Sequence, residues 1–219
     1  MAGAVASPPI APPDDGLTAF DVFHLCIGRA KNLVKLHEAA HGKAAKPEKY
    51  LSDAHRAAIV LAVSALDAYV RSYVLERIRR LLTDKKATLP TSLSDRIKTF
   101  LKEDGLLEAA RRDDLIERVE KAFKRDFEKR SFQGTDAIST GLQLVGIGDV
   151  FKDVASKAGK NEEKLRGSLD HYTQRRHVIA HRGDYDLSQN PPVEMAVTKR
   201  DAQECIKLVV LIATHVKDL

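Results

Sequence analysis

The feature that most constrains the fold is a long helical segment that is apolar on nearly every side. The segment begins near Asp53, a favourable N-cap residue, and continues to about Leu82. Within it, residues 59–70 place apolar side chains in almost every direction around a helix axis. Such a helix must be covered by other elements, so the segment predicts the central helix of a bundle.

Amphipathic helices are predicted on both sides of this segment, because apolar residues recur there at helical spacing. Their predicted bounds are 17–41, 94–102, 106–130, 149–157 and 162–182, with a last helix after a capping box at Thr198 and Asp201. A break is expected at Gly105, an irregular connector over the glycine-rich residues 131–148, and extended chain over 184–197. Together the segments predict an all-α bundle of four or five main helices with a helical middle insertion.

The composition agrees with this fold class. Aromatic residues make up only 5% of the chain and Trp is absent, whereas sheets favour aromatic and β-branched side chains. The 219 residues are enough for one substantial core. We therefore expect a disordered tail over the proline-containing residues 1–15 and a single helical domain over 16–219, with 84–158 as a candidate insertion.

Charge and hydropathy limit the partners of the chain. The formal net charge of +5 suits a polyanion such as nucleic acid, although many unrelated proteins are equally basic. The two most apolar stretches, 59–70 and 206–216, are shorter than the roughly 20 residues that a membrane span requires. Cys26 and Cys205 lie far apart on apolar stretches, as expected for free cysteines in a reducing compartment. We therefore expect a cytoplasmic protein without a membrane partner.

The end of the 162–182 helix carries the residues best suited to chemistry. It gathers five cationic or titratable side chains, Arg175, Arg176, His177, His181 and Arg182. At about 100° per residue, Arg176 and His181 lie about 140° apart, but a long arginine side chain at a helix end can still reach an anion that the imidazole contacts. Histidine titrates near neutral pH, and arginine binds phosphate with a permanently charged fork. The segment therefore predicts an anion site that can transfer protons.

This segment resembles the R-x4-6-H motif of HEPN domains. Arg176 and His181 fit the motif with a polar residue, His177, directly after the arginine, and Arg175 fits a longer register with the same histidine. Residues 58–73 resemble the HEPN helix that packs against the motif helix and carries an acidic residue, here Asp67. The resemblance covers mainly residues 51–82 and 162–219, and it is greatest to the ribonuclease branch called RiboL-PSP.

The resemblance implies a HEPN-like bundle that acts as a metal-independent endoribonuclease. The RNA 2′-hydroxyl would attack the adjacent phosphate and leave a 2′,3′-cyclic phosphate and a 5′-hydroxyl. His181 would act as general base or acid, and Arg176 would stabilise charge on the phosphoryl oxygens. The resemblance also implies RNA as a partner, a homodimer with a composite site at its interface, and a toxin–antitoxin or phage-defence role with a neutralising partner. No metal or other cofactor is expected.

Four further residues are expected to support this pair: Asp67, His177, Arg175 and Arg182. Asp67 belongs to a nearly all-apolar helix, where an unpaired carboxylate is costly to bury. We expect it either to pair with the motif arginine or a histidine, or to lie at a solvent edge of its helix.

Two other interpretations use the same residues. His177 and His181 have the spacing of two metal ligands on one helix face, but the glutamate that a zinc protease needs after the first histidine is absent, so chance spacing is favoured. In the second interpretation the domain is a non-catalytic RNA-binding or dimerisation module, and the arginine and histidine bind a nucleotide or cap the helix. Salt-sensitive RNA binding without a cleaved product would distinguish this module from a nuclease.

Overall fold

The computed structural model describes residues 16–41 and 52–219. These ranges contain eight helices: α1 (Ala19–His41), α2 (Ser52–Thr83), α3 (Thr91–Arg112), α4 (Leu115–Glu128), α5 (Thr135–Leu144), α6 (Val150–Ala158), α7 (Glu162–Arg182) and α8 (Lys199–Lys217). A short antiparallel hairpin pairs β1 (Tyr185–Asp186) with β2 (Val193–Glu194) between α7 and α8. The predicted all-α class is confirmed, whereas the tail expected over residues 1–15 lies outside the described residues.

Helix α2 occupies the centre of the bundle, as its apolar sequence predicts. It contacts α1, α4, α5, α7 and α8, and residues such as Ile59, Leu66 and Val74 are completely buried. The whole helix is long and apolar enough to cross a bilayer, which the stretch 59–70 alone is not, but 50% of its most apolar window is buried inside the bundle. One helix of this kind is weak evidence for a membrane span, and its burial fits a core helix.

Helices α1 and α8 cover α2 and also contact each other. Phe23 and Ile27 of α1 and Val209 of α8 are at most 2% exposed. Cys205 of α8 lies in the same core, where burial raises its thiol pKa to about 12. Both cysteines are free, as the sequence predicts, and Cys26 is half-buried.

The middle region differs from the sequence prediction at the expected break. Helix α3 continues through Gly105 and is kinked at Lys102, whose φ of 53° is left-handed. The helix ends only at Asp113, which also has a left-handed backbone with φ of 56°. The predicted break is therefore present but lies three residues early, at Lys102 rather than Gly105, and the helix predicted over 106–130 is divided between Arg112 and Leu115.

The prediction of an irregular connector over residues 131–148 is wrong, because these residues contain α5. Ile138, Leu142 and Val145 form a buried stripe at helical spacing. Gly141 is a residue of this helix. Only glycine fits at this position, because a Cβ atom there would overlap the ring of Phe132. Close packing thus explains this glycine, which the sequence alone indicated to be a loop residue.

Helix α7 is held against the bundle along most of its length. It contacts α2, α5, α6 and α8. The carboxylate of Asp170 accepts hydrogen bonds from the backbone N–H and the hydroxyl of Thr135, at 2.9 and 2.8 Å. The hydroxyl of Thr173 donates to the carbonyl of Gln133 at 2.8 Å. These bonds tie α7 to the start of α5 and fix the direction in which its C-terminal end points.

Candidate active site at the C-terminal end of helix α7

The motif helix ends where the sequence predicts. Gly183 has a left-handed backbone with φ of 60°, and its N–H donates to the carbonyl of Val178. Asp184 is also left-handed, with φ of 67°, a conformation that Asp tolerates better than most residues. His181 and Arg182 occupy the last turn, where the helix dipole favours positive charge.

A buried charge cluster lies directly behind this helix end. The Asp184 Oδ2 atom accepts hydrogen bonds from Arg56 Nε at 2.6 Å and from Arg175 Nη2 at 2.9 Å. The three side chains are 0%, 8% and 9% exposed, respectively. Arg56 also forms ion pairs with Glu194 and Asp53, each at 3.0 Å, so the two arginines meet three carboxylates. The cluster connects α2, α7 and the hairpin.

The same arginines bind the backbone that leads into α8. Arg175 Nη2 donates to the carbonyl of Ala196 at 2.9 Å, and Arg56 Nη2 donates to that of Met195 at 2.8 Å. Desolvation by itself would lower the pKa of Arg56, but hydrogen bonds and charge from Asp184 and Asp53 raise it overall. The Arg56 guanidinium therefore remains charged, and the two arginines together hold the end of α7 in place.

The other motif residues face outward. His177 and His181 are exposed, and their ring centroids lie 4.6 Å apart. Arg182 is exposed, and Arg176 is half-buried. The Nε atom of Arg176 is buried and has no hydrogen-bond partner within residues 16–41 and 52–219. The helix end thus presents two imidazoles and the Arg182 guanidinium at its surface, whereas the Arg176 guanidinium is partly buried.

The structure places Asp67 away from this group. Its carboxylate accepts hydrogen bonds from the N–H of Phe132 at 2.6 Å and from Gln133 Nε2 at 3.2 Å, and it lies 3.5 Å from Arg71 Nη2. The predicted pairing with the motif arginine or a histidine is therefore wrong. The alternative of a solvent edge is also inaccurate, since the side chain is only 15% exposed. Asp67 stabilises the segment that leads into α5.

Sequence reasoning missed Arg56 and Asp184. Arg56 lies in the first turns of the apolar helix α2, where the same argument about the cost of a buried charge applies as for Asp67. Asp184 directly follows the glycine that ends α7, and it is completely buried. These signals are present in the sequence, but a separation of 128 positions hides the pairing of the two residues.

Metal ligation finds little support at this site. In the part of the chain that the structure describes, no group of three or more His, Cys, Asp or Glu side chains is placed to hold a metal ion. His177 and His181 alone offer two nitrogen ligands, whereas protein zinc sites use three or four.

One of three comparisons with known proteins identifies a family for this chain. The model of the RiboL-PSP-HEPN family matches residues 26–219, which is most of the chain. The chain therefore belongs to the RiboL-PSP-HEPN family, and HEPN domains are associated with RNA binding and RNA cleavage. Neither the curated proteins nor the solved structures gave a significant match.

Proposed function

We propose that this protein is a metal-independent endoribonuclease whose reaction is carried by Arg176 and His181. The observation that carries the proposal is that two neighbouring arginines near the end of α7 have different contacts. Arg175 is bound to Asp184 and to backbone carbonyls, while Arg176 lacks such partners among the described residues. The geometry therefore favours the Arg176 register over the Arg175 register.

The proposed reaction is an internal transesterification of RNA. His181 removes the proton of a 2′-hydroxyl, whose oxygen attacks the adjacent phosphorus. The bond from phosphorus to the 5′-oxygen breaks, and a second group donates a proton to this leaving oxygen. Arg176 binds the phosphoryl oxygens, where negative charge increases in the transition state. The products are a 2′,3′-cyclic phosphate and a 5′-hydroxyl.

A homodimer would complete the site. One chain supplies one copy of Arg176 and His181, whereas the reaction needs a base and an acid at the same time. The α7 surface around Gln174, His177 and His181 is exposed in the single chain and is available for a second copy. A two-fold axis near this surface would bring two copies of the pair to one phosphate, with His177 and Arg182 beside them.

The biological role that we propose follows from uncontrolled RNA cleavage. An endoribonuclease that acts on cellular RNA in the cytoplasm is toxic, so it needs a partner that restrains it until it is required. We propose a toxin–antitoxin or phage-defence system as this setting. Expression of the wild-type chain should then stop growth, and expression of the His181→Ala variant should not.

Cleavage assays in chelator test the chemistry. Wild-type protein with EDTA should cut RNA to fragments that end in 2′,3′-cyclic phosphate, and His181→Ala should lower the rate by about 10²–10⁴-fold. His171→Ala is the matched control, because His171 is an exposed histidine on the same helix, outside the motif. Equal rates for wild type and His181→Ala would contradict the mechanism. Tight RNA binding by wild type without any product would instead support the non-catalytic module.

A further inference from the structure

A groove between α7 and α8 lies outside the motif, toward the N-terminal end of α7. It has a volume of about 520 Å³. Lys160 and Lys164 line it from the α7 side, and Lys207 lines it from α8. Lys164 and His181 are 17 positions apart on α7, which corresponds to roughly 25 Å along the helix axis. A flexible strand of several nucleotides can cover this distance.

A second cavity continues the basic surface onto α1. It has a volume of about 320 Å³ and is lined by Lys31 and Lys35 of α1 and again by Lys207. Because Lys207 lines both cavities, they adjoin each other. We call the resulting set the lysine surface: Lys31, Lys35, Lys160, Lys164 and Lys207.

The positive charge of the lysine surface is not neutralised locally. None of its five lysines forms an ion pair with another residue of the described ranges 16–41 and 52–219, whereas many arginines elsewhere do, such as Arg96 with Asp126. Glu204 is the one carboxylate among the residues that line the two cavities, and Arg200 Nε binds it at 2.7 Å. The lysine surface therefore offers an unscreened site to a polyanion.

The floor of the larger groove suits nucleobases. Leu165, Leu208 and Leu211 line it together with Tyr172, which is 7% exposed. Leu165 and Tyr172 are nearly buried, so the half-buried Leu208 and Leu211 supply most of the apolar surface that a base can contact. Proteins that bind single-stranded nucleic acid combine a positively charged groove with surfaces against which bases pack.

We propose that the lysine surface binds the phosphate backbone of a single-stranded part of the RNA, away from the scissile phosphate. The proposal rests on the proposed function, since its ligand is the RNA that the motif would cleave. It adds a second contact region, which would give the enzyme affinity for long RNA without using the motif residues. RNA fits better than an acidic protein because regularly spaced charges and flat bases match both the lysines and the apolar floor.

The test measures RNA affinity in a cleavage-deficient background. A 20-nucleotide fluorescent RNA is titrated with His181→Ala protein, with and without Lys160→Ala, Lys164→Ala and Lys207→Ala, over a range of salt. The triple change should weaken binding by roughly tenfold or more and reduce the slope of log affinity against log salt by about 0.7 for each lost phosphate contact. The control combines Lys85→Ala, Lys86→Ala and Lys121→Ala, three exposed lysines outside the lysine surface with the same loss of charge.

Each outcome distinguishes the lysine surface from the catalytic proposal. Equal weakening by the test and control variants would overturn the proposal, because net charge alone would then explain the binding. Polyglutamate that competes as well as RNA of the same charge would overturn it in favour of an acidic protein. Wild-type cleavage with lysine-independent RNA binding would remove the lysine surface and keep the nuclease. Lysine-dependent binding without wild-type cleavage would support the lysine surface and overturn the nuclease proposal.

Discussion

Arg175 and Arg176 are chemically identical neighbours on α7, yet their environments are opposite. Arg175 is 9% exposed and its Nη2 atom has three acceptors: the Asp184 carboxylate and the carbonyls of Met195 and Ala196. Arg176 is half-buried, and its Nε atom has no partner among the described residues. The two side chains lie about 100° apart around the helix axis. As a result, Arg175 stabilises the fold, whereas Arg176 is free to bind a ligand.

The difference explains how a site of exposed side chains can be held in place. Long cationic side chains lose conformational entropy when they are ordered, so a surface cluster gains little from ordering itself. Here the buried Arg175 and Asp184 position the backbone at the end of α7, and the exposed motif side chains extend from that same backbone. Substitutions of buried and half-buried residues test this difference, and Asp184 is expected to give the largest effect.

Asp184→Ala should have the largest effect on stability. It leaves Arg56 and Arg175 buried without their shared carboxylate, and removal of one partner from a buried charge cluster costs about 3–5 kcal/mol. Thermal unfolding followed by circular dichroism should show a markedly lower Tm. Asp184→Asn keeps an acceptor at the same position and should lose less. A Tm for Asp184→Ala within the error of wild type would contradict the structural role of the cluster.

Arg175→Ala and Arg176→Ala should separate stability from activity. Arg175→Ala removes one of two cations on Asp184 and should lower the free energy of unfolding by about 1–3 kcal/mol. Arg176→Ala should change it by less than about 0.5 kcal/mol, while it lowers the cleavage rate by roughly 10²-fold. Urea unfolding and single-turnover cleavage measure the two quantities. The reverse pattern would favour the Arg175 register.

Asp67→Ala should lower stability without a specific effect on cleavage. The change leaves the N–H of Phe132 and the amide of Gln133 without their acceptor, at a cost of about 1–2 kcal/mol. The cleavage rate per folded molecule should stay close to wild type, because Asp67 contacts no motif residue. A large drop in rate with unchanged unfolding would restore Asp67 to the site.

The smallest effect should come from the buried histidine of α8. Desolvation, assisted by Lys157, lowers the pKa of His215. The folded state therefore favours neutral His215, so its contribution to stability is complete above the unfolded pKa of about 6.5 and is lost as pH falls from there through the lowered folded pKa. His215→Gln should make the Tm slightly less dependent on pH below 6.5, and a pH dependence equal to that of wild type would contradict this contribution.

The sequence predicted the parts of the fold that follow from local patterns. The apolar helix α2, the cap at Gly183 and the capping box of α8 each depend on residues within a few positions of one another, and all three are confirmed. The end of α3 at Asp113 was not predicted, because no glycine or proline marks it in the sequence.

The candidate site was predictable only in part, for a similar reason. The position of the motif at the end of α7 followed from spacing, but the roles of Arg175 and Arg176 depend on Asp184 and Arg56. The Arg56–Asp184 bond joins residues 128 positions apart, and no periodic pattern reports such a contact. The sequence therefore predicted where the motif lies, but not that Arg175 is buried in ion pairs while the Nε atom of Arg176 has no partner among the described residues.

The bonds from Arg56 and Arg175 to Met195 and Ala196 have a consequence for local unfolding. The C-terminal half of α7 and the segment that leads into α8 are attached to one another through these guanidinium groups. They should open as one cooperative unit, with similar protection of their amides in native-state hydrogen exchange. A molecule that loosens the start of α8 would then also disorder the motif, although it binds away from the surface on which RNA would be cut.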